Sequence, residues 1–221
     1  MGRHTTTTLL RMYDLLLGAF GPQHWWPSRT RDETVIGAVL TQNTAWTNVE
    51  RAIEALRRAN RLALAGIDAT PEDRLAELIR PAGTYRVKAR RLKSLAGWLG
   101  SRFGGDLDAL FATGLAAARR ELLGVSGIGP ETADAILLYA GKLPTFVVDA
   151  YTQRILRRHL LSGADSDYER SKALFEGALS PDGALYGEYH ALLVELGKRH
   201  CRKNAQCERC PLAGLDHDAD L

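Results

Sequence analysis

Between Leu122 and Asp134 the chain reads Leu-Leu-Gly-Val-Ser-Gly-Ile-Gly-Pro-Glu-Thr-Ala-Asp, its most informative stretch. Glycines at 124, 127 and 129 let the backbone take positive φ and approach another molecule closely. Pro130 suits the first position of a helix, where its missing N–H leaves nothing unpaired. The expectation is a helix, a tight glycine bend and a second helix whose first backbone donors face outward as a ready phosphate site. A lone carboxylate, Asp149, follows 18 residues beyond Glu131 (149 − 131).

Elsewhere apolar residues recur with the 3.6-residue period of helices rather than the two-residue period of strands. The spacing predicts helices over 8–20, 35–40, 48–59, 71–79, 87–99, 115–123, 130–140, 148–159, 168–178 and 186–200. Breaks fall at Gly21-Pro22, Pro81-Ala82-Gly83, Gly104-Gly105, Lys142-Leu143-Pro144 and Ser180-Pro181-Asp182-Gly183, all good turn formers. With 45% apolar residues, the 221-residue chain can fill a packed core, and the expected class is all-α. The N-terminus through Thr8 is polar and no long apolar run follows, which argues against a signal peptide or membrane span and makes the cytoplasm the default.

The helix, bend, helix and following aspartate resemble the helix-hairpin-helix and catalytic aspartate of the endonuclease III superfamily of DNA base-excision glycosylases. Gly37-Ala38-Val39-Leu40-Thr41-Gln42-Asn43-Thr44 is similar to the family's early helix and DNA-probing loop, and the cysteines near the C-terminus are similar to its iron-sulfur loop. Together these cover most of residues 25 to 216. The combination of Trp25-Trp26-Pro27, the probing loop with Trp46, and Gly127-Ile128-Gly129 with Glu131 and Ala133-Asp134-Ala135-Ile136 resembles the 3-methyladenine branch more than the oxidised-pyrimidine branch. The resemblance implies a two-lobed all-α fold: a six-helix barrel over residues 29–143 that carries the hairpin, and a discontinuous lobe from 1–28 and 144–221 that carries the cluster. Double-stranded DNA with a damaged base would lie across the cleft, bound by a monomer that is nucleoid-associated when engaged.

Asp149 follows the apolar lead-in Phe146-Val147-Val148, and on its own reads as a helix N-cap. The resemblance makes it the catalytic carboxylate, because breaking an N-glycosidic bond builds positive charge on the sugar that a carboxylate can stabilise while it orients water. Bifunctional family members hold a lysine where this chain has Glu131, and a carboxylate cannot form the Schiff base that precedes strand cleavage. The resemblance with this departure therefore implies a hydrolytic, monofunctional enzyme. Glu131 either assists Asp149 or simply complements a helix N-terminus.

A glycosylase must hold an extruded base between flat side chains. Trp25, Trp26 and Trp46 are the candidates, with core packing as the alternative, and an indole face attracts a cationic alkylated purine. Gln42 resembles the side chain that the family pushes into the gap left by the flipped nucleotide. A structural glutamine would instead need internal partners. Asn43, Thr41 and Thr44 support that loop, and Gly127 and Gly129 approach the DNA backbone.

Cys201, Cys207 and Cys210 are the only cysteines, and three thiols within ten positions of a cytoplasmic chain point to a metal or cluster rather than disulfides. The spacing Cys-x5-Cys-x2-Cys resembles the family's four-iron four-sulfur loop, whose fourth cysteine would fall near 216. Asp216 stands there, with His217 beside it. The fourth ligand is then Asp216 through oxygen or His217 through nitrogen, or the cluster is damaged or replaced by zinc with three cysteines and a histidine; the residue count favours Asp216. His190 and Lys198, eight apart on one helix face, resemble family positions near the pocket or cluster, with helix packing and salt bridging as the favoured reading.

The net charge is only +3, but Arg86, Lys88, Arg90, Arg91 and Lys93 cluster, followed by Arg119 and Arg120 and by Arg154, Arg157 and Arg158. Each cluster is either a solvated face or part of a phosphate-binding surface. Two function classes follow: a glycosylase for alkylated purines, with oxidised pyrimidines or mismatched thymine as variant substrates, or a DNA-binding protein that keeps hairpin and cluster without vigorous catalysis.

Overall fold

A computed structural model describes residues 3–163 and 166–221 of the chain. In chain order the helices are α1 (Arg3–Phe20), α2 (Arg31–Leu40), α3 (Trp46–Arg58), α4 (Leu64–Ala69), α5 (Glu72–Leu78), α6 (Tyr85–Phe103), α7 (Leu107–Ala112), α8 (Leu115–Leu123), α9 (Pro130–Ala135), α10 (Ala150–Arg158), α11 (Tyr168–Glu176) and α12 (Gly183–Arg199). Among the described residues there is no β-strand, only an isolated bridge between Cys201 and Ala205, so the chain is all-α. No helix among them is long and apolar enough to cross a membrane. Two compact units divide the chain: Trp26–Leu143, and the segments up to Trp25 and from Pro144 onward.

Helix α2 is the spine of the first unit and is buried from Glu33 to Leu40. The Thr30 hydroxyl starts it by accepting from the Glu33 N–H at 3.1 Å, a side-chain cap that satisfies one of the four orphan donors. Glu33 is itself buried, and Arg57 of α3 answers its charge at 3.0 Å. Helices α8 and α9 form the hairpin, and a bidentate pair locks them: Arg119 donates to both carboxylate oxygens of the fully buried Asp134, at 2.9 and 3.1 Å. Val125 and Ile128 plug the bend into the core while Gly127 and Gly129 stay exposed. Of the three glycines only Gly127 uses positive φ, at +86°; Gly124 is helical and Gly129 extended. A Cβ at Gly127 would stand 2.3 Å from the Arg91 Cγ, so close packing against α6 also demands glycine there.

The helix expected over 130–140 is α-helical only to Ala135 and continues as one π-helical turn over Ile136–Ala140, every residue of it buried. A widened turn of this kind inserts a residue into the ladder and shifts the side chains beyond it.

In the second unit, Phe146 stacks on Phe175 of α11 with ring centroids 3.9 Å apart, and Tyr186 and Tyr189 of α12 meet it edge-on. The Tyr189 hydroxyl donates to the Leu9 carbonyl of α1 at 2.8 Å, which satisfies a buried phenol and joins the N-terminal helix to the C-terminal ones. Gly197 of α12 lets α10 approach, because a Cβ there would lie 2.3 Å from the Tyr151 ring.

Candidate active site and cysteine cavity

Asp149 sits at the N-cap of α10 and divides its two oxygens. Oδ1 accepts from the Thr152 backbone N–H at 2.8 Å and from the Thr152 hydroxyl at 2.9 Å. Oδ2 faces His190 of α12, whose Nε2 is 3.9 Å away, and the Asp149 side chain stays 16% exposed while that of His190 is 8% exposed. Burial holds the His190 imidazole below its ordinary value, with Asp149 opposing and Lys198 adding to the effect. The capping role and an accessible carboxylate therefore coexist in one residue.

The loop after α2 is tied down at every position but one. The Thr41 hydroxyl donates to the Gly37 carbonyl at 2.6 Å. Gln42 donates to the Gly127 carbonyl at 3.2 Å and the Thr132 hydroxyl at 2.9 Å, and its amide oxygen accepts from Arg91. Thr44 Oγ1 lies 2.6 Å from the Ala82 carbonyl and accepts from Lys88. Asn43 is the exception: exposed, at φ +50°, it forms the tip of the turn. Asparagine is among the few side chains that tolerate this left-handed backbone.

Lys88 is the anchor beneath that loop. It is 1% exposed, and its ammonium donates to the Leu40 carbonyl at 2.7 Å, the Ala82 carbonyl at 2.8 Å and the Thr44 hydroxyl, so three donors meet three acceptors. Burial, with the Arg91 charge adding to it, depresses the ammonium to about 8. Next to it Val87, Arg90, Arg91, Lys93, Ser126 and Gly127 line a polar recess that joins α6 to the hairpin bend.

Trp26 meets Trp46 edge-on at 5.4 Å and tilts against Tyr139 at 5.2 Å. Gly37 makes room for it, since a Cβ there would press to 3.2 Å on the indole. Trp25 belongs to the other unit, where the Lys198 ammonium lies 5.7 Å from its ring centroid.

Near the C-terminus, Cys201, Cys207 and Cys210 line one cavity, together with Arg158, His159, His200 and His217. Burial pushes the Cys210 thiol up. Arg158, 7% exposed, donates to the Cys201 sulfur at 3.3 Å and to the carbonyls of Arg202 and Lys203 at 2.6 and 2.9 Å. Its buried Nε has no hydrogen-bond partner among the described residues. Among the described residues no three His, Cys, Asp or Glu side chains converge on one point; the thiols line walls.

The family model for HhH-GPD superfamily base excision DNA repair proteins matches residues 36–181, well over half of the chain. The chain belongs to this superfamily. It is 45% identical over 211 residues to a Methanocaldococcus jannaschii protein provisionally named a DNA repair glycosylase, covering 92% of this chain and 93% of that one. It is 33% identical to endonuclease III of Thermotoga maritima over 80% of this chain and 78% of that one. Among solved structures, the H. pylori 3-methyladenine DNA glycosylase bound to 1,N6-ethenoadenine has a TM-score of 0.74 at 31% identity, covering 88% of this chain and 97% of that one. A trapped endonuclease III–DNA covalent intermediate shares the fold at a TM-score of 0.82 and 23% identity, covering 95% and 94%. The protein is a base-excision DNA glycosylase of the HhH-GPD superfamily.

In this glycosylase the structure brings together Gln42, Gly127 and Thr132, and separately Trp26 with Trp46. Glu131 is exposed in the first turn of α9. Asp216 is exposed and lines a recess with Thr8, Arg11 and Leu215, whereas His217 lines the cysteine cavity. Several basic residues that the sequence presents as surface charge are instead buried or engaged by internal partners. Lys88 and Arg158 are buried, Arg119 holds Asp134, and Arg154 donates to the Cys201 carbonyl at 2.7 Å. Sequence reasoning missed Thr132 and Tyr139, and it favoured packing for His190 although that position resembles one near the family's pocket or cluster; only the fold supplies the contacts that mark them.

Proposed function

We propose that this glycosylase is monofunctional, acts as a monomer on double-stranded DNA and hydrolyses the N-glycosidic bond of alkylated purines. The observation that carries the reading is Asp149: one oxygen is spent on Thr152, and the other is held beside a His190 that burial keeps neutral. As the bond from C1′ to the base lengthens, the sugar becomes cationic and the base departs with the bonding electrons, leaving neutral if it was alkylated and positive. The Asp149 carboxylate stabilises that cation; water then adds to C1′ and its proton passes to Asp149. Glu131, where bifunctional relatives resembling this chain hold a lysine, offers no amine for Schiff-base chemistry.

The Trp26, Trp46 and Tyr139 cluster supplies flat, electron-rich surfaces suited to a cationic purine. The 1,N6-ethenoadenine bound by the H. pylori relative is likewise a modified adenine, an uncharged one that flat side chains hold by stacking rather than by cation–π attraction. Gln42 is internally satisfied, which makes exposed Asn43 the better side chain to enter the helix and Gln42 the clasp that steadies it. Gly127, Gly129 and the Arg90 recess grip the strand through phosphates.

Cys201, Cys207 and Cys210 fit a four-iron four-sulfur cluster. They surround one cavity, the donors are soft, and the unpartnered Arg158 Nε is the kind of buried donor that cluster sulfides satisfy. Such a cluster would fix the loop from Cys201 to Cys210 and leave hydrolysis to Asp149.

Duplexes carrying 3-methyladenine, 1,N6-ethenoadenine, thymine glycol, uracil or an abasic site test the reading. Alkylated purines should be released, strands should break only after alkali, and Asp149→Asn should lose about 10²–10⁴-fold in turnover. Release of thymine glycol alone, or borohydride trapping of a covalent complex, would overturn it.

A further inference from the structure

Three cysteines leave one iron of a cubane without a thiolate, and we infer that the fourth ligand of this protein's cluster is the imidazole of His217, bound through Nε2. The inference rests on the cluster reading above and adds to it a ligand that residue counting does not select. Counting from Cys210 reaches Asp216, yet the Asp216 side chain is exposed and lines a recess with Thr8, Arg11 and Leu215. The neighbouring side chain, His217, lines the cavity that Cys201, Cys207 and Cys210 share.

The C-terminal end of α10, with its cap residue His159, holds the backbone on both sides of His217. The His159 Nδ1 lies 3.1 Å from the Asp216 carbonyl oxygen, and the Asp218 N–H donates to the Arg158 carbonyl at 2.7 Å. Held at the residues before and after it, the segment presents the His217 ring to the cavity.

The tautomer is also prepared. His217 Nδ1 lies 2.8 Å from the Leu215 carbonyl oxygen. A carbonyl only accepts, so the ring proton sits on Nδ1 and the Nε2 lone pair is left for a metal, the arrangement in which a metal-binding histidine donates its second nitrogen to a backbone carbonyl. Imidazole also binds iron readily, whereas a carboxylate is a hard partner for a soft cluster. His159 and His200 line the same cavity, but His159, whose Nδ1 also faces a carbonyl, that of Asp216, lines the Asp216 recess as well, and the His200 ring stacks on Phe20 with centroids 6.1 Å apart; His217 alone stands beside the position that the cysteine spacing gives to a fourth ligand.

The test uses full-length protein reconstituted anaerobically with iron and sulfide, reduced, and examined by pulsed electron paramagnetic resonance after growth on natural or ¹⁵N-labelled histidine. Wild type should show a strongly coupled nitrogen that changes with the label, and Asp216→Ala and His159→Gln should keep it. His217→Cys should retain the cluster, lose the nitrogen coupling and shift the reduction potential downward, because an anionic thiolate replaces a neutral ligand. A cluster without histidine coupling in wild type, or coupling that survives His217→Cys, overturns the assignment and leaves the cluster standing. Wild-type protein that acquires no iron-sulfur chromophore overturns the cluster reading itself. The labelled wild type with His159→Gln and His200→Gln, the other two histidines that line the cavity, decides the question even if His217→Cys does not fold.

Discussion

The Arg91 guanidinium donates to the amide oxygen of Gln42, while the Gln42 amide nitrogen reaches across to the Gly127 carbonyl and the Thr132 hydroxyl. One side chain therefore joins the loop after α2 to both α6 and the hairpin, and its neighbour Asn43 is left to face outward. Gln42→Ala should lower stability by about 1–2 kcal/mol, because several internal hydrogen bonds go at once. Asn43→Gly relaxes a left-handed backbone and should leave stability unchanged or slightly higher, yet reduce base extrusion. Denaturant melts alongside 2-aminopurine fluorescence at the lesion separate the two. An Asn43→Gly variant that extrudes the base normally would return the probing role to Gln42.

Lys88 lies one layer deeper. Replacing it with methionine keeps the volume but removes the donor from the carbonyls of Leu40 and Ala82 and from the Thr44 hydroxyl. Leaving buried acceptors unpaired costs about 1–3 kcal/mol each when nothing relaxes, so Lys88→Met should destabilise the protein by roughly 2–4 kcal/mol in urea unfolding. Excision should fall further than stability alone explains, because the loop ending at Thr44 loses its anchor. Lys88→Arg should not rescue it, since a 1% exposed site has no room for a planar fork.

The helical class was legible because most helices repeat their apolar residues over several turns. Helices α4 (Leu64–Ala69) and α7 (Leu107–Ala112) escaped because six residues are too few to display a period. Helix α2 begins at Arg31 rather than 35, and the sign of it, Thr30 followed three residues later by Glu33, is a capping pattern that apolar periodicity does not register. The N-cap role of Asp149 could be read from its place before an amphipathic segment. The approach of His190 could not, because it depends on how α12 packs on α10. Charge was the least legible property: Lys88 and Arg90 look alike in sequence, and only the carbonyls gathered around one of them make it a core residue. The same limit separates Asp216 from His217, where spacing counts residues but says nothing about which way each side chain turns.

The hairpin itself carries an electrostatic lock. Asp134 is fully buried and accepts on each carboxylate oxygen from Arg119, whose side chain is 20% exposed. Removing the cation strips a buried carboxylate of its counter-charge, which costs about 3–5 kcal/mol for a closed pair. Arg119→Met should therefore lower the unfolding free energy by roughly 3 kcal/mol, and Arg119→Lys should recover only part of it because one ammonium cannot make the bidentate contact. DNA affinity at fixed salt should drop in the same order as hairpin rigidity, read by amide exchange at Gly127 and Gly129. Equal affinities for all three proteins would show that the hairpin does not need this pair to hold its shape on DNA.

His190 connects stability to pH. Burial sets its folded-state value below the ordinary 6.5, so as pH falls through 6.5 the unfolded chain takes up a proton that the folded chain still refuses. Its stabilising contribution is complete above that value and is lost as the pH drops toward the folded-state value, at up to about 1.4 kcal/mol per pH unit. His159 is lowered in the same direction, chiefly by burial, and adds to the slope. His190→Gln should flatten the acid limb of the stability curve without abolishing it. Activity should follow a related course for a different reason: a protonated His190 would face Asp149 Oδ2 at 3.9 Å and draw its charge away from the developing sugar cation. Excision rates measured from pH 5 to 8 at saturating DNA should thus fall on the acid side in wild type and less steeply in His190→Gln. An unchanged acid limb in that variant would assign the pH dependence to another group.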